Sequence, residues 1–200
     1  SKFYRNFGFG YGKQISLYRA KPEHFRNFGD KSNLKYVSNE EIDKIIEFYN
    51  NRVKYKHGMM EKTSVEKFKM KNSSNVRNIV FEKNNNIKGY CRFTFKKIND
   101  LNRLNHKMII SEIIYDSSEV LGQFATFFNT LRDQVQYIEL TTFDDSMYYL
   151  LEDVYFFTEP KLMPIIHHKT SDRGTGLMYR VVDINKLLNL ISCKIEYNIN

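Results

Sequence analysis

A mixed α/β fold, with helices flanking a central sheet, is what these 200 residues predict, and three observations predict it. Stretches in which apolar residues alternate with polar ones, the period of a strand, interleave with stretches whose apolar residues recur every three to four positions, the period of a helix. Turn and cap residues separate the two kinds. The 42% hydrophobic content is enough for one core-forming domain plus attached pieces.

Residues 3–18 read as a turn followed by a strand, because Gly8, Gly10 and Gly12 come first and Ile15 and Leu17 then alternate with polar neighbours. Residues 21–33 carry Pro22, Gly29 and Asp30 without a sustained apolar period and read as a linker. Ser38 stands three positions before Glu41, the spacing of a capping box, and Ile42, Ile45, Ile46 and Tyr49 follow on one helical face. A second short helix begins at Thr63 or Ser64 and includes Val65 and Phe68. Residues 77–82 and 88–95 are strand-like runs joined through Asn84, Asn85 and Asn86, which tolerate left-handed backbone angles, so a hairpin is expected. Residues 107–115 form another strand, and Ser117 or Ser118 caps a helix running through Leu121, Phe124, Ala125, Phe128 and Leu131. Strand returns at 135–142, and Asp145 or Ser146 caps a short helix with Met147, Leu150 and Leu151. Further strands are expected near 165–168 and 177–182, a helical turn at 185–190 and an alternating segment at 193–199. From Ser38 the order is α, α, β, β, β, α, β, α, β, β.

Composition removes several functional classes. The two cysteines, Cys91 and Cys193, form no CxxC pair and stand in no Cys/His spacing of the kind zinc requires, so neither a disulfide framework nor a metal site is expected. No apolar run reaches the roughly 18 to 20 residues of a membrane span, and the N-terminal residues show no signal-peptide pattern. A reducing, cytoplasmic location follows as the expectation. The net charge of +8 invites a nucleic-acid reading, but the lysines from Lys54 to Lys71 are interspersed with Glu61 and Glu66 and read as a solvated face.

Isolated motifs carry little chemistry. Arg173-Gly174-Thr175-Gly176 looks like a phosphate loop, yet a strand pattern follows it, so a turn is the reading. Gly8, Gly10 and Gly12 miss the G-x-G-x-x-G spacing and read as close packing or a bulge. His167 and His168 adjoin with Asp172 four residues on, but neighbours on a strand face opposite ways and do not share a ligand. Asp144 and Asp145 read as a helix cap, and Cys91 as a small buried hydrophobe.

The element order from Ser38 resembles that of the GNAT N-acyltransferases. Phe3-Tyr4-Arg5-Asn6-Phe7-Gly8-Phe9 is similar to the Y-x-x-x-G-F segment that follows the last core helix of those enzymes. With the 21–33 linker and the closing run Gly176-Leu177-Met178-Tyr179-Arg180-Val181-Val182-Asp183-Ile184, the chain resembles their Eis-like branch, named for enhanced intracellular survival proteins. That resemblance implies a middle cut of a three-domain protein: 1–19 ending a first, catalytic GNAT domain, 20–35 a linker, 36–185 a second, degenerate GNAT-like domain, and 186–200 starting a sterol-carrier-like domain.

The resemblance also implies the chemistry. Transfer from acetyl-CoA to an amine needs an acid for the departing thiolate, and the tyrosine before the Phe-Gly step, here Tyr4, would be that acid. The family's general base is a carboxylate at the end of the third domain, outside this chain. Coenzyme A is ordinarily held by a Gln/Arg-x-x-Gly-x-Gly/Ala loop between a strand and a helix, whose N–H groups grip the pyrophosphate. After Tyr115 this sequence has instead Asp116-Ser117-Ser118-Glu119-Val120-Leu121-Gly122-Gln123, with two acids and one glycine. The acetyl-CoA site is therefore expected in the missing first-domain part, and the chain alone is expected to be inactive. The implied acceptors are amines such as aminoglycosides, lysine side chains or polyamines, and the implied assembly is a homo-oligomer. The alternative is a non-catalytic GNAT-like module for binding or assembly.

Overall fold

The computed structural model describes residues 2–55, 59–98, 106–152 and 171–191. In chain order the elements are α1 (Lys2–Arg5), β1 (Gly10–Tyr11), β2 (Gln14–Ala20), β3 (Leu34–Val37), α2 (Ile42–Val53), α3 (Ser64–Lys71), β4 (Arg77–Lys83), β5 (Asn86–Lys97), β6 (His106–Tyr115), α4 (Ser118–Asn129), β7 (Tyr137–Thr142), β8 (Ser171–Thr175), β9 (Met178–Tyr179) and α5 (Ile184–Ile191). By packing, the chain divides into one unit of residues 1–15 with 173–200 and another of residues 16–172. The expected strand near 165–168, the pair His167 and His168, and the 193–199 segment lie outside the described residues.

The mixed α/β expectation holds: seven strands in the order β3-β4-β5-β6-β7-β2-β8 form the main sheet. Neighbours from β3 to β6 are antiparallel, β6 and β7 are parallel, and β7 and β2 are again antiparallel. The parallel pair needs a crossover, which α4 supplies. The β4–β5 hairpin turns at Asn84 and Asn85, with φ of 54° and 59°, the left-handed pair that a tight hairpin turn requires.

Each face of the sheet carries its own core, as strand alternation demands. Ile79, Phe81, Cys91 and Phe93 point to one side, where they meet α4 through Phe124, Ala125 and Phe128. Val80 and Tyr90 point to the other, under Ile42, Ile45, Ile46, Tyr49 and Val53 of α2. Cys91 is a free, buried thiol, as its strand context predicts, and burial pushes its pKa well above the usual range.

Several local expectations need correction. Ser38 does not cap α2: a 3-10 turn, Asn39–Glu41, intervenes, and Glu41 pairs instead with Lys44 at 3.3 Å. The capping box forms one helix later, where Thr63 and Glu66 satisfy each other's backbone N–H at the start of α3. Val65 and Phe68 of α3 are exposed, and the helix rests on Met70. The segment 145–150 is a 3-10 helix and not an α-helix; Asp144, one of the two aspartates read as a cap, caps it by accepting from Ser146 N–H at 2.9 Å, in place of Asp145 or Ser146. Arg173 and Gly174 belong to strand β8, not to a turn.

Residues 21–33, without apolar period, are more than a spacer. Phe28 N–H donates to Thr126 Oγ1 at 3.0 Å, Asn33 N–H to Gln123 Oε1 at 3.3 Å, and Asn129 Nδ2 to the Phe25 carbonyl at 2.8 Å. They strap the side of α4 that the sheet leaves bare, which is why α4 is buried continuously from Val120 to Phe128. In the smaller unit, β1 pairs with β9, and Gly12 N–H donates to the Leu177 carbonyl at 3.1 Å. A Cβ at Gly12 would collide with the Tyr179 ring, so close packing accounts for that glycine.

Candidate functional site

The parallel pairing of β6 with β7 is short. It runs from Lys107 against Tyr137 to Ile110 against Leu140 and stops. At that point β6 carries a bulge: Arg92 faces Glu112 and Phe93 faces Ile110, leaving Ser111 as the extra residue. Beyond the bulge β6 and β7 part, and among the described residues the backbone of 111–115 has no ladder partner on the β7 side. A fork of this kind offers backbone donors to a ligand carbonyl. At its end the chain enters α4, whose N-cap Ser117 accepts from Val120 N–H at 3.4 Å.

The charges at this turn are matched within the protein. Arg52 of α2 ion-pairs with Asp116 and donates through Nη2 to the Tyr115 carbonyl at 2.5 Å. Lys83 reaches Glu119 at 2.8 Å. Across the fork, the Tyr115 hydroxyl donates to the Asp144 carboxylate. Gly122 is covered by the Phe28 ring, whose Cδ2 would stand 3.4 Å from an added Cβ, and the Gln123 amide donates to Asp30 at 2.8 Å. A pyrophosphate here would meet two carboxylates whose cations are already engaged, at a helix start already capped. The residues present do not fit that group in the usual way.

Desolvation, reinforced by the Asp144 hydrogen bond, raises the Tyr115 phenol from its ordinary value of 10.0 to about 12. A pKa raised on folding contributes stability that is fully present below the unfolded value and lost as pH climbs through the folded one. The wild type is therefore expected to lose stability relative to Tyr115→Phe between pH 10 and about 12, as the Tyr115 proton is lost. Paired urea titrations across that window check it, and a difference independent of pH would refute it.

The sequence-predicted acid, Tyr4, lies in the smaller unit on α1, 51% exposed. Its position has a local cause. Phe9 N–H donates to the Tyr4 carbonyl at 3.2 Å and Gly8 N–H to the Arg5 carbonyl at 3.0 Å, with Gly8 at φ 79°. These two bonds are a Schellman cap, in which only glycine takes the left-handed position without strain. The Tyr4 and Phe9 rings meet at 5.9 Å, the apolar contact that accompanies this cap. Tyrosine, three residues, glycine and phenylalanine is thus the sequence of a helix stop that pins the tyrosine.

Sequence reasoning missed Arg52, Lys62 and Glu112 as members of polar clusters, since each reads as an ordinary surface charge. Among the described residues no group of three or more His, Cys, Asp and Glu side chains is placed to hold a metal. No helix among them is long and apolar enough to cross a membrane.

Residues 56–181 match the model of an acetyltransferase (GNAT) domain. Among solved structures, the chain is similar to a GCN5-related N-acetyltransferase from Anabaena variabilis ATCC 29413, with TM-score 0.70 at 15% identity, covering 94% of this chain and 45% of that one. It is also similar to a conserved protein of unknown function from Enterococcus faecalis V583, with TM-score 0.59 at 16% identity, covering 94% and 44%. A GCN5-related N-acetyltransferase from Kribbella flavida gives TM-score 0.57 at 10% identity, covering 87% and 39%. At these identities the likeness establishes the fold, and the chain spans less than half the length of each of these three. No curated protein matches it.

Proposed function

This chain belongs to the acetyltransferase (GNAT) domain family, and from that premise we propose that it is the supporting part of an Eis-like N-acetyltransferase that moves an acetyl group from acetyl-CoA to an amine. On this reading residues 1–19 end a first domain that holds the coenzyme, 20–35 link, 36–185 are the second domain, and 186–200 begin a third. The location is cytoplasmic. Two findings support the arrangement: the family match lies within 36–185, and 94% of the chain aligns to 45% of a longer GNAT protein.

The observation that carries the supporting role is the matched charge at the β6–α4 turn, with Arg52 on Asp116 and Lys83 on Glu119. Calorimetric titration of this chain with coenzyme A is expected to give no binding. A dissociation constant below about 1 mM would overturn the reading and make the turn a working site. In the longer, acetylating form, Tyr4→Phe is expected to lower kcat by about 100-fold while leaving acetyl-CoA affinity unchanged. Full activity in that variant removes Tyr4 from the chemistry.

A second reading, a non-catalytic assembly module, is favoured by a different observation. The smaller unit exposes Phe3, Phe7, Val182 and Leu190 to 64%, 53%, 91% and 81%. Apolar side chains exposed to that degree suit a contact surface, such as that of a homo-oligomer. A longer gene product that oligomerises but acetylates no amine would select this reading.

A further inference from the structure

Between the sheet and α2 lies a polar cluster that neither the fork nor the family reading uses. Glu112 of β6 shares its face with Ile114, which packs against the core under α2, where Tyr49 and Tyr90 are buried. Lys62, from the segment between α2 and α3, reaches into this cluster. Its Nζ donates to Glu112 Oε1 at 2.9 Å and stands 4.3 Å from the centroid of the Tyr49 ring. Helix α2 aims it: Asn50 accepts from Lys62 N–H at 2.8 Å and donates to the Lys62 carbonyl at 3.1 Å. The side chains of Lys62 and Glu112 keep 15% and 21% of their exposure, so the pair is largely desolvated. A carboxylate and an aromatic face around one nitrogen make a seat for an ammonium ion.

Lys62 does not exhaust that seat. Glu112 Oε2 and the Tyr90 hydroxyl are both buried and find no hydrogen-bond partner among the described residues. Burial first, then the Glu112 charge and a side-chain interaction with that carboxylate, push the Tyr90 phenol well above its usual range; the phenol faces Glu112, at a geometry short of a full hydrogen bond. Arg92, a second cation beside Glu112, commits its Nε to Asn78 Oδ1 at 3.0 Å. Unpaired buried polar atoms are costly, and a carboxylate oxygen and a phenol oxygen left side by side both keep lone pairs that accept a further N–H. Glu112 repels an anion from that place. A quaternary ammonium has no N–H to give. A primary ammonium has three, enough for both carboxylate oxygens and the phenol oxygen.

The geometry points to a primary-ammonium site built from Tyr49, Tyr90 and Glu112, which Lys62 occupies as a tethered ligand and a free primary alkylammonium ion takes when Lys62 is withdrawn. The site stands apart from the coenzyme reading, since none of its residues lies in the β6–α4 turn.

Lys62→Ala deletes the atoms that n-propylammonium replaces, so thermal melting of K62A is followed against n-propylammonium chloride, with tetramethylammonium chloride at equal ionic strength as control. The primary amine is expected to raise the Tm of K62A by about 3 °C, saturably, while the quaternary ion does not. The rise is expected to vanish in the double variant K62A/E112Q. Equal shifts by the two cations, or an undiminished rise without Glu112, overturns the site. Should K62A not fold, the Lys62 ammonium is observed in the intact chain by NMR. Slow proton exchange that is lost in E112Q is expected, and exchange as fast as that of the exposed Lys44 overturns the site.

Discussion

Phe128→Ala is expected to cost about 4 kcal/mol of folding free energy and to lower Tm by about 10 °C. Phe128 is 0% exposed at the centre of the larger core, with ring centroids 5.2 Å from Phe25 and 5.9 Å from Phe127. Its neighbours come from three sources: the sheet, the rest of α4 and the strap over it. A side chain held from several elements leaves a cavity that none can fill by moving alone, which places the cost toward the upper end of such truncations. Equilibrium urea unfolding reads the effect. A loss under about 1.5 kcal/mol would mean that the strap collapses inward and that the contact between Phe25 and Phe128 is weaker than its geometry implies.

Gly89→Val is expected to cost about 3 kcal/mol for the opposite reason, excess volume. A Cβ at Gly89 would stand 2.5 Å from Val120 Cγ1, 2.9 Å from the Ile114 carbonyl oxygen and 3.2 Å from Tyr115 Cα. Val120 is a side chain and can move, but the carbonyl belongs to the paired backbone of β6 and cannot. The first turn of α4 must therefore lift from β5, and the effect should reach the ion pair of Arg52 with Asp116. A shift in the urea midpoint with an unchanged slope is the expected signature. A variant as stable as the wild type would show that α4 is free to slide along the sheet.

What could be read in advance was what is local in the chain. The spacing of Ile42, Ile45, Ile46 and Tyr49 specifies a helical face, and all four are buried on it. Ser117 caps α4, and Asn84 and Asn85 turn the hairpin, because those residue types relieve a backbone problem at the site where they stand. The capping-box spacing at Ser38 misled because a 3-10 turn satisfies the same backbone groups by another route. Residues 21–33 showed no period since they hydrogen-bond to α4 residues 90 to 104 positions away, such as Gln123 and Asn129. Likewise, Arg52 and Lys62 are cations on a basic chain until the fold brings Asp116 and Glu112 to them. At Tyr4, Gly8 and Phe9 a helix stop and a sequence motif are the same object, whereas the family match rests on residues 56–181.

Strand β2 pairs with β7, and Arg19 with Glu139 across 120 residues of chain. On a ribosome working at about 5–20 residues per second, β2 would wait about 6–24 s before its partner is made. During that interval both of its edges are open and its apolar residues are exposed, so the nascent chain carries an aggregation-prone segment until β7 is made. Expression at lowered temperature slows off-pathway association of such an edge, and chaperones that hold extended apolar segments have their natural target there. The fold that buries Tyr18 and Ala20 so completely thus makes the yield of this protein depend on how β2 is shielded while β7 is still being translated.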